Sequence, residues 1–158
     1  MFQIGDKIVH PMHGAGVIDG IEEKKVNGVV RSYYVLRMPV GGMVVMIPTE
    51  NSKEIGVRPV INKDQGDQVM AAFENIQVEM DQNWNRRYRE NMVRLKSGDL
   101  LEVARVVKGL MLRDGMRGLS TGERKMLHFA KQILISELVL SQSSSYEEIE
   151  QRINHALV

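Results

Sequence analysis

The chain has 158 residues, with 43% hydrophobic and 26% charged side chains. That is the balance of a globular protein of one or two domains, not of a disordered chain. Cysteine is absent, which excludes disulfide scaffolds, thiol catalysis and Cys-type zinc sites. No apolar run approaches the ~18 residues that cross a bilayer. The opening Met1-Phe2-Gln3-Ile4-Gly5-Asp6 carries no signal-peptide pattern, so a cytoplasmic location away from membranes is expected. Net charge is only +1, but residues 83–131 hold 12 Lys and Arg against 5 Asp and Glu. Acidic stretches flank them. Such a concentration suits a polyanion partner, or equally a solvated helix face.

Up to residue 60 the pattern is β. Lys7-Ile8-Val9-His10, Val17 to Ile21, Tyr33 to Met38 and Met43 to Ile47 are short runs rich in β-branched and aromatic residues. Gly56 to Val60 can add a fifth strand. Pro11 with Gly14 and Gly16, Asn27-Gly28, Pro39 with Gly41-Gly42, and Pro48 separate them. Asn27-Gly28 predicts a type I′ hairpin, whose two central residues need positive φ. Five short strands in this length predict a small SH3- or Tudor-like barrel over residues 1–60. A core so small gains from docking on a neighbour.

From residue 61 to 158 the period is helical, and about five helices are expected. The first begins near Asp64, with Val69, Phe73 and Ile76 on one face. Asn83 caps a second, on which Trp84, Tyr88, Met92 and Leu95 share a stripe. Asp99 caps a third with Leu100, Val103, Ala104, Val107, Leu110 and Met111 inward, ending at Gly115 and Gly118. Ser120 with Glu123, and Ser145 with Glu148, have capping-box spacing and open the fourth and fifth helices. Met126, Leu127, Ala130, Ile133, Leu134 and Leu138 line the fourth; Ile149, Ile153 and Leu157 line the fifth. The fold class is therefore α+β, a β-barrel followed by an all-helical domain.

Enzyme chemistry fits poorly. There is no Walker loop, GxGxxG, GxSxG or HExxH. Gly14-Ala15-Gly16 leads into a strand and reads as a tight turn. His10 and His13 lack further ligands nearby in sequence, so neither a metal nor a cofactor is expected.

Two segments carry the functional signal. Asn83-Trp84-Asn85-Arg86-Arg87-Tyr88-Arg89 places the only tryptophan at a helix start beside three arginines. That indole is either part of the core or a wedge for a widened or unstacked groove, with phosphates held by the helix N-terminus. Arg117-Gly118-Leu119-Ser120-Thr121-Gly122-Glu123-Arg124-Lys125 is a loop feeding a second helix start, and Lys131 extends its basic face.

Gly5-Asp6-Lys7-Ile8-Val9-His10-Pro11-Met12-His13-Gly14-Ala15-Gly16-Val17-Ile18 resembles the polymerase-interacting module shared by CarD-type regulators and the transcription-repair coupling factor. The segments 83–88, Leu95-Lys96-Ser97-Gly98-Asp99 and 117–127 are similar to the CarD helical domain at matching spacing. The chain is too short for the helicase motor of the coupling factor. Membership of the CarD family implies a bacterial transcription regulator whose barrel docks on the RNA polymerase β subunit. Its helical domain would contact promoter DNA at the upstream edge of the bubble, modulating open-complex stability. The family tryptophan, which enters the minor groove, maps onto Trp84; basic family positions map onto Arg86, Arg87, Arg89 and Lys125. Arg124 and Lys131 complete the candidate DNA face. On the polymerase side the resemblance points to Lys25 and to Met46, the latter at a position that is basic in the family. A monomer with largely sequence-independent DNA binding is expected. The rival readings are a protein-interaction adaptor with a Tudor-like barrel and, less suited to 5% aromatic content, a single-strand RNA binder.

Overall fold

The computed structural model describes residues 1–39 and 41–157. Strands β1 (Lys7–His10), β2 (Gly14–Val26), β3 (Val29–Arg37), β4 (Val44–Pro48) and β5 (Arg58–Pro59) form one antiparallel sheet, in the order β4-β3-β2-β1-β5. A short helix, α1 (Ser52–Ile55), not foreseen from sequence, fills the connection between β4 and β5. Ile8, Ile18, Tyr34, Leu36, Met38, Ile47 and Val57 converge on one buried cluster. The sheet therefore curls around its own core, Tudor-like. Asn27 and Gly28 both take positive φ, 52° and 82°, as the type I′ reading requires. The hairpin is longer than expected: its ladder runs from Val17↔Arg37 out to Val26↔Val29, with one irregularity between Ile18 and Gly20.

Gly14-Ala15-Gly16 is not a turn. It is the first part of β2, paired with His10, Val9 and Ile8, and the turn falls on the residues before it. The reason lies outside the sheet. A Cβ on Gly14 would stand 2.6 Å from Ser136 Oγ, because the strand presses there against a helix of the other half.

That half comprises α2 (Lys63–Asn75), α3 (Trp84–Lys96), α4 (Leu100–Arg117), α5 (Thr121–Gln142) and α6 (Tyr146–His155). Asn83, Asp99, Ser120 and Ser145 cap α3 to α6, each accepting a backbone N–H from the first turn. The complete reciprocal capping box occurs instead at Asn62 and Gln65, opening α2. Gly115 is inside α4, which ends at Gly118. α4 contributes Leu100, Val103, Ala104, Val106, Val107 and Leu110 to the core, and α5 contributes Met126, Ala130, Ile133, Leu134, Ile135 and Leu138. Lys108, also buried, donates to the carbonyls of Phe73 and Glu74 at the end of α2. Burial lowers its pKa.

α5 is buried almost all round between Ile133 and Leu138. Helices cover one side and the barrel the other. Ser136 Oγ accepts the Ala15 N–H at 2.9 Å. Glu137, fully buried, accepts two bonds from the Arg58 guanidinium at 2.7 and 2.8 Å and a third from the Ile61 N–H. Arg58 also donates to the Gly98 carbonyl at 2.9 Å. The thin barrel core thus rests on a helix through an ion pair whose buried carboxylate accepts three hydrogen bonds.

Candidate nucleic-acid interface

Trp84 opens α3 and is 43% exposed. Its surroundings follow from two helix starts meeting. Between α2 and α3 the chain crosses α4 at Gly109, where a side chain would collide with Val78 and Met80. This crossing brings the start of α3 against the start of α5. One face of the indole stacks on Tyr88, with centroids 5.1 Å apart and planes 19° from parallel. Its Nε1–H donates to Ser120 Oγ at 3.0 Å, and its Cζ2 is 3.6 Å from where a Cβ on Gly122 would sit. Trp84 is therefore not a core residue. The core stripe of α3 starts instead at Tyr88, with Met92 half-buried and Leu95 buried.

Arg87 corrects the sequence reading. The resemblance groups it with the DNA-binding arginines, yet its side chain is 3% exposed. Nε donates to Glu123 Oε2 at 2.7 Å and an Nη to Oε1 at 3.1 Å; the other Nη reaches the Asp81 and Gln82 carbonyls. Every donor faces inward, so phosphate cannot reach it. Glu123 is corrected with it. Its carboxylate does not return to the Ser120 backbone as a capping box would, but takes Arg87 and the Ser120 hydroxyl. The hydrogen bond from Arg87, outweighing the opposing effect of burial, holds the Glu123 pKa below the usual carboxylate range. The same bond raises that of Arg87.

The other basic candidates are differently placed. Arg86 and Arg89 on α3, and Arg124 and Lys125 on the first two turns of α5, are exposed. Arg86 stands 4.0 Å from Asp81 with its side chain 70% exposed, an ion pair of little strength. Lys131, nearly three turns along α5, lies 3.7 Å from Glu150 and is only 22% exposed. It belongs more to the α5–α6 packing than to an open face. Two helix N-termini meet at the ring, and the same two helix starts carry four exposed cations, a surface suited to phosphate by charge and by helix dipole.

In the barrel, Lys25 lies within β2, on the exposed outer part of the hairpin opposite Val30. Met46 is half-buried on the edge strand β4, opposite Val35. Val35 pairs with Gly20, so Lys25 lies five residues further along, roughly 17 Å at the strand repeat. The structure does not bring the two together. Sequence reasoning passed over the exposed apolar residues Val26, Val29 and Val30 at the hairpin tip and Met43 and Val44 at the edge. The available signal was their place beside the turn residues Asn27-Gly28 and Gly41-Gly42, where apolar side chains have little to pack on. Among the described residues no group of three or more His, Asp or Glu is arranged to hold a metal, and no helix is long and apolar enough to cross a membrane.

The chain is a two-part protein, a curled sheet braced on a helical bundle that carries exposed basic and aromatic residues at two helix starts. Residues 2–61 match the CarD-like/TRCF RID domain, and residues 68–154 match the CarD C-terminal domain. Over 150 residues the chain is 39% identical to "Putative transcription factor YdeB" of Bacillus subtilis (strain 168), covering 95% of this chain and 98% of that one. The chain belongs to the CarD family of transcription regulators.

Proposed function

We propose that residues 1–60 dock on the β subunit of RNA polymerase while the tip of the helical half holds promoter DNA at the upstream edge of the bubble. The observation that carries this reading is Trp84: a tryptophan kept out of the core where two helix starts bearing exposed cations meet. Opening a promoter gives up duplex stacking, about 1.4 kcal/mol per base-pair step. A wedge that binds the distorted fork better than intact duplex shifts that balance by its differential affinity and no more. Docking through the barrel raises the local concentration of an otherwise weak DNA binder. On the docking side, β4 is an edge of the sheet with Met43 and Val44 exposed, a place where another sheet can add a strand. Arg87 is scaffold in this reading; Arg86, Arg89, Arg124 and Lys125 are the phosphate ligands.

The test is a titration of the full chain against a forked duplex over a salt series. If these four cations each meet a phosphate, log K against log salt has a slope of roughly −3.6, and the fork binds tighter than its intact counterpart. A flat salt dependence with no preference for the fork overturns the DNA contact and leaves the adaptor reading. Capture of polymerase by the full chain, weakened by Lys25→Glu and unaffected by Trp84→Ala, checks the other grip.

A further inference from the structure

The hydroxyl of Ser120 has one hydrogen and two lone pairs to offer, and the structure uses all three. It accepts from the Glu123 N–H at 3.2 Å and from the Trp84 indole N–H at 3.0 Å, and donates to Glu123 Oε1 at 3.3 Å. Glu123 is fixed in turn by Arg87, which is anchored to the Asp81 and Gln82 carbonyls just ahead of α3. The chain of bonds starts at the residues that lead into Trp84 and returns to its ring. With Tyr88 behind the ring and Gly122 along its Cζ2 edge, the remaining face and edge are what solvent sees.

We infer that Ser120 is the positioning residue for Trp84: it fixes the angle at which the indole leaves the protein and removes its only hydrogen-bond donor from the partner. This deepens the proposed function and rests on its assignment of Trp84 to DNA. An exposed tryptophan held by stacking alone still has rotamers to lose on binding, and ordering them weakens the complex. The bond to Ser120 removes that freedom in advance. It also decides what the ring can read. With Nε1–H engaged inside the protein, the indole offers DNA a π-face and hydrocarbon edge, which sense the shape of an unstacked step and not the donor and acceptor pattern of its bases.

Trp84 is the sole tryptophan, so the fluorescence of the full chain reports on this one ring. Glycine at an N-cap costs a helix little, so Ser120→Gly deletes the indole's partner while sparing the helix start; Ser120→Thr keeps the oxygen. The expected results for Ser120→Gly are a nearly unchanged melting temperature, lower Trp84 anisotropy, and forked-duplex affinity reduced about 3- to 10-fold, an effect on the scale of one hydrogen bond. Ser120→Thr restores anisotropy and affinity together. In a Trp84→Ala background Ser120→Gly has no further effect on binding. If Ser120→Gly leaves anisotropy and fork affinity as they were, or weakens binding equally without the tryptophan, Ser120 does not act through the ring. The inference is then wrong, while a loss of fork binding in Trp84→Ala keeps the parent reading. If Trp84→Ala itself binds the fork normally, it is the parent reading that falls.

Discussion

Arg86 and Arg87 are neighbours in sequence and opposites in place. One turns its guanidinium to solvent with its side chain 70% exposed, the other buries it at 3% against Glu123. Under the proposed function the two therefore have opposite mutational signatures. Arg87→Ala strands the buried Glu123 carboxylate and unpairs the Asp81 and Gln82 carbonyls, at a cost of about 3–5 kcal/mol of folding stability. Arg86→Ala costs almost none and weakens fork binding instead. Denaturant unfolding of the two variants beside their DNA titrations checks the pair, and an Arg87→Ala protein as stable as wild type would show that the buried ion pair is idle. Trp84→Ala belongs with Arg86: the ring is half out, so its loss costs about 1 kcal/mol through the bond to Ser120, against about 1–3 kcal/mol at the fork if bases stack on it. Trp84 and the exposed cations were legible because aromatic and basic residues at a helix start are a visible oddity. The role of Arg87 was not. A search for apolar stripes passes over Arg87, Asn91 and Leu95, spaced i, i+4, i+8 and all buried, because two of the three are polar and their partners lie elsewhere in the chain.

Helix starts and hairpin turns are local chemistry, and at that scale the sequence was a good guide. Asn83, Asp99, Ser120 and Ser145 cap where a side-chain oxygen before an apolar run predicts, and Asn27-Gly28 turns the hairpin. Contacts across elements were less legible. Glu123 has capping-box spacing, but an arginine thirty-six positions earlier competes for its carboxylate and wins, since a charged bidentate donor outbids a neutral amide. The joint between α3 and α5 consequently depends on pH. The Glu123 pKa is lowered in the folded protein, so its contribution is complete above the unfolded carboxylate value of ~4.3. It disappears as pH falls through the lowered folded value. Acid should loosen the joint before it melts the bundle. Trp84 anisotropy followed downward from neutral pH drops in that window in the wild type. In Glu123→Gln it is already low at neutral pH and shows no transition there. A wild-type trace that stays flat until global unfolding would exclude the joint as an acid-sensitive element.

The molecule as a whole is held at one further point, where Arg58, Gly98, Ile61 and Glu137 meet. Ser136-Glu137 inside the apolar run Ile133 to Leu140 was the sequence signal for it: two polar residues on a helix otherwise buried must have partners. Those partners come from the barrel and from the chain leading out of it. Glu137→Ala leaves Arg58 and the Ile61 N–H without their acceptor and should cost about 3 kcal/mol, the lower end for a broken buried pair, because Arg58 is 29% exposed and can rehydrate in part. More telling is its effect on coupling. With the barrel loosened from α5, polymerase capture and fork binding persist separately, while the lifetime of the open complex on a promoter shortens. An unchanged lifetime would mean that the two grips need only a tether.

Both attachments lie on α5. Its cap, Ser120, holds the tryptophan, and Ser136 and Glu137, roughly four and a half turns on at about 3.6 residues per turn, hold the barrel. A helix used this way is a screw thread. One residue added or lost between those points moves one end by only about 1.5 Å but swings it through about 100°, so the ring would leave the molecule on a different side while the barrel kept its seat. Loops elsewhere in the chain can drift in length at little expense. The count between Ser120 and Ser136 sets an azimuth, and relatives that work the same way will differ along this stretch in letters and not in number.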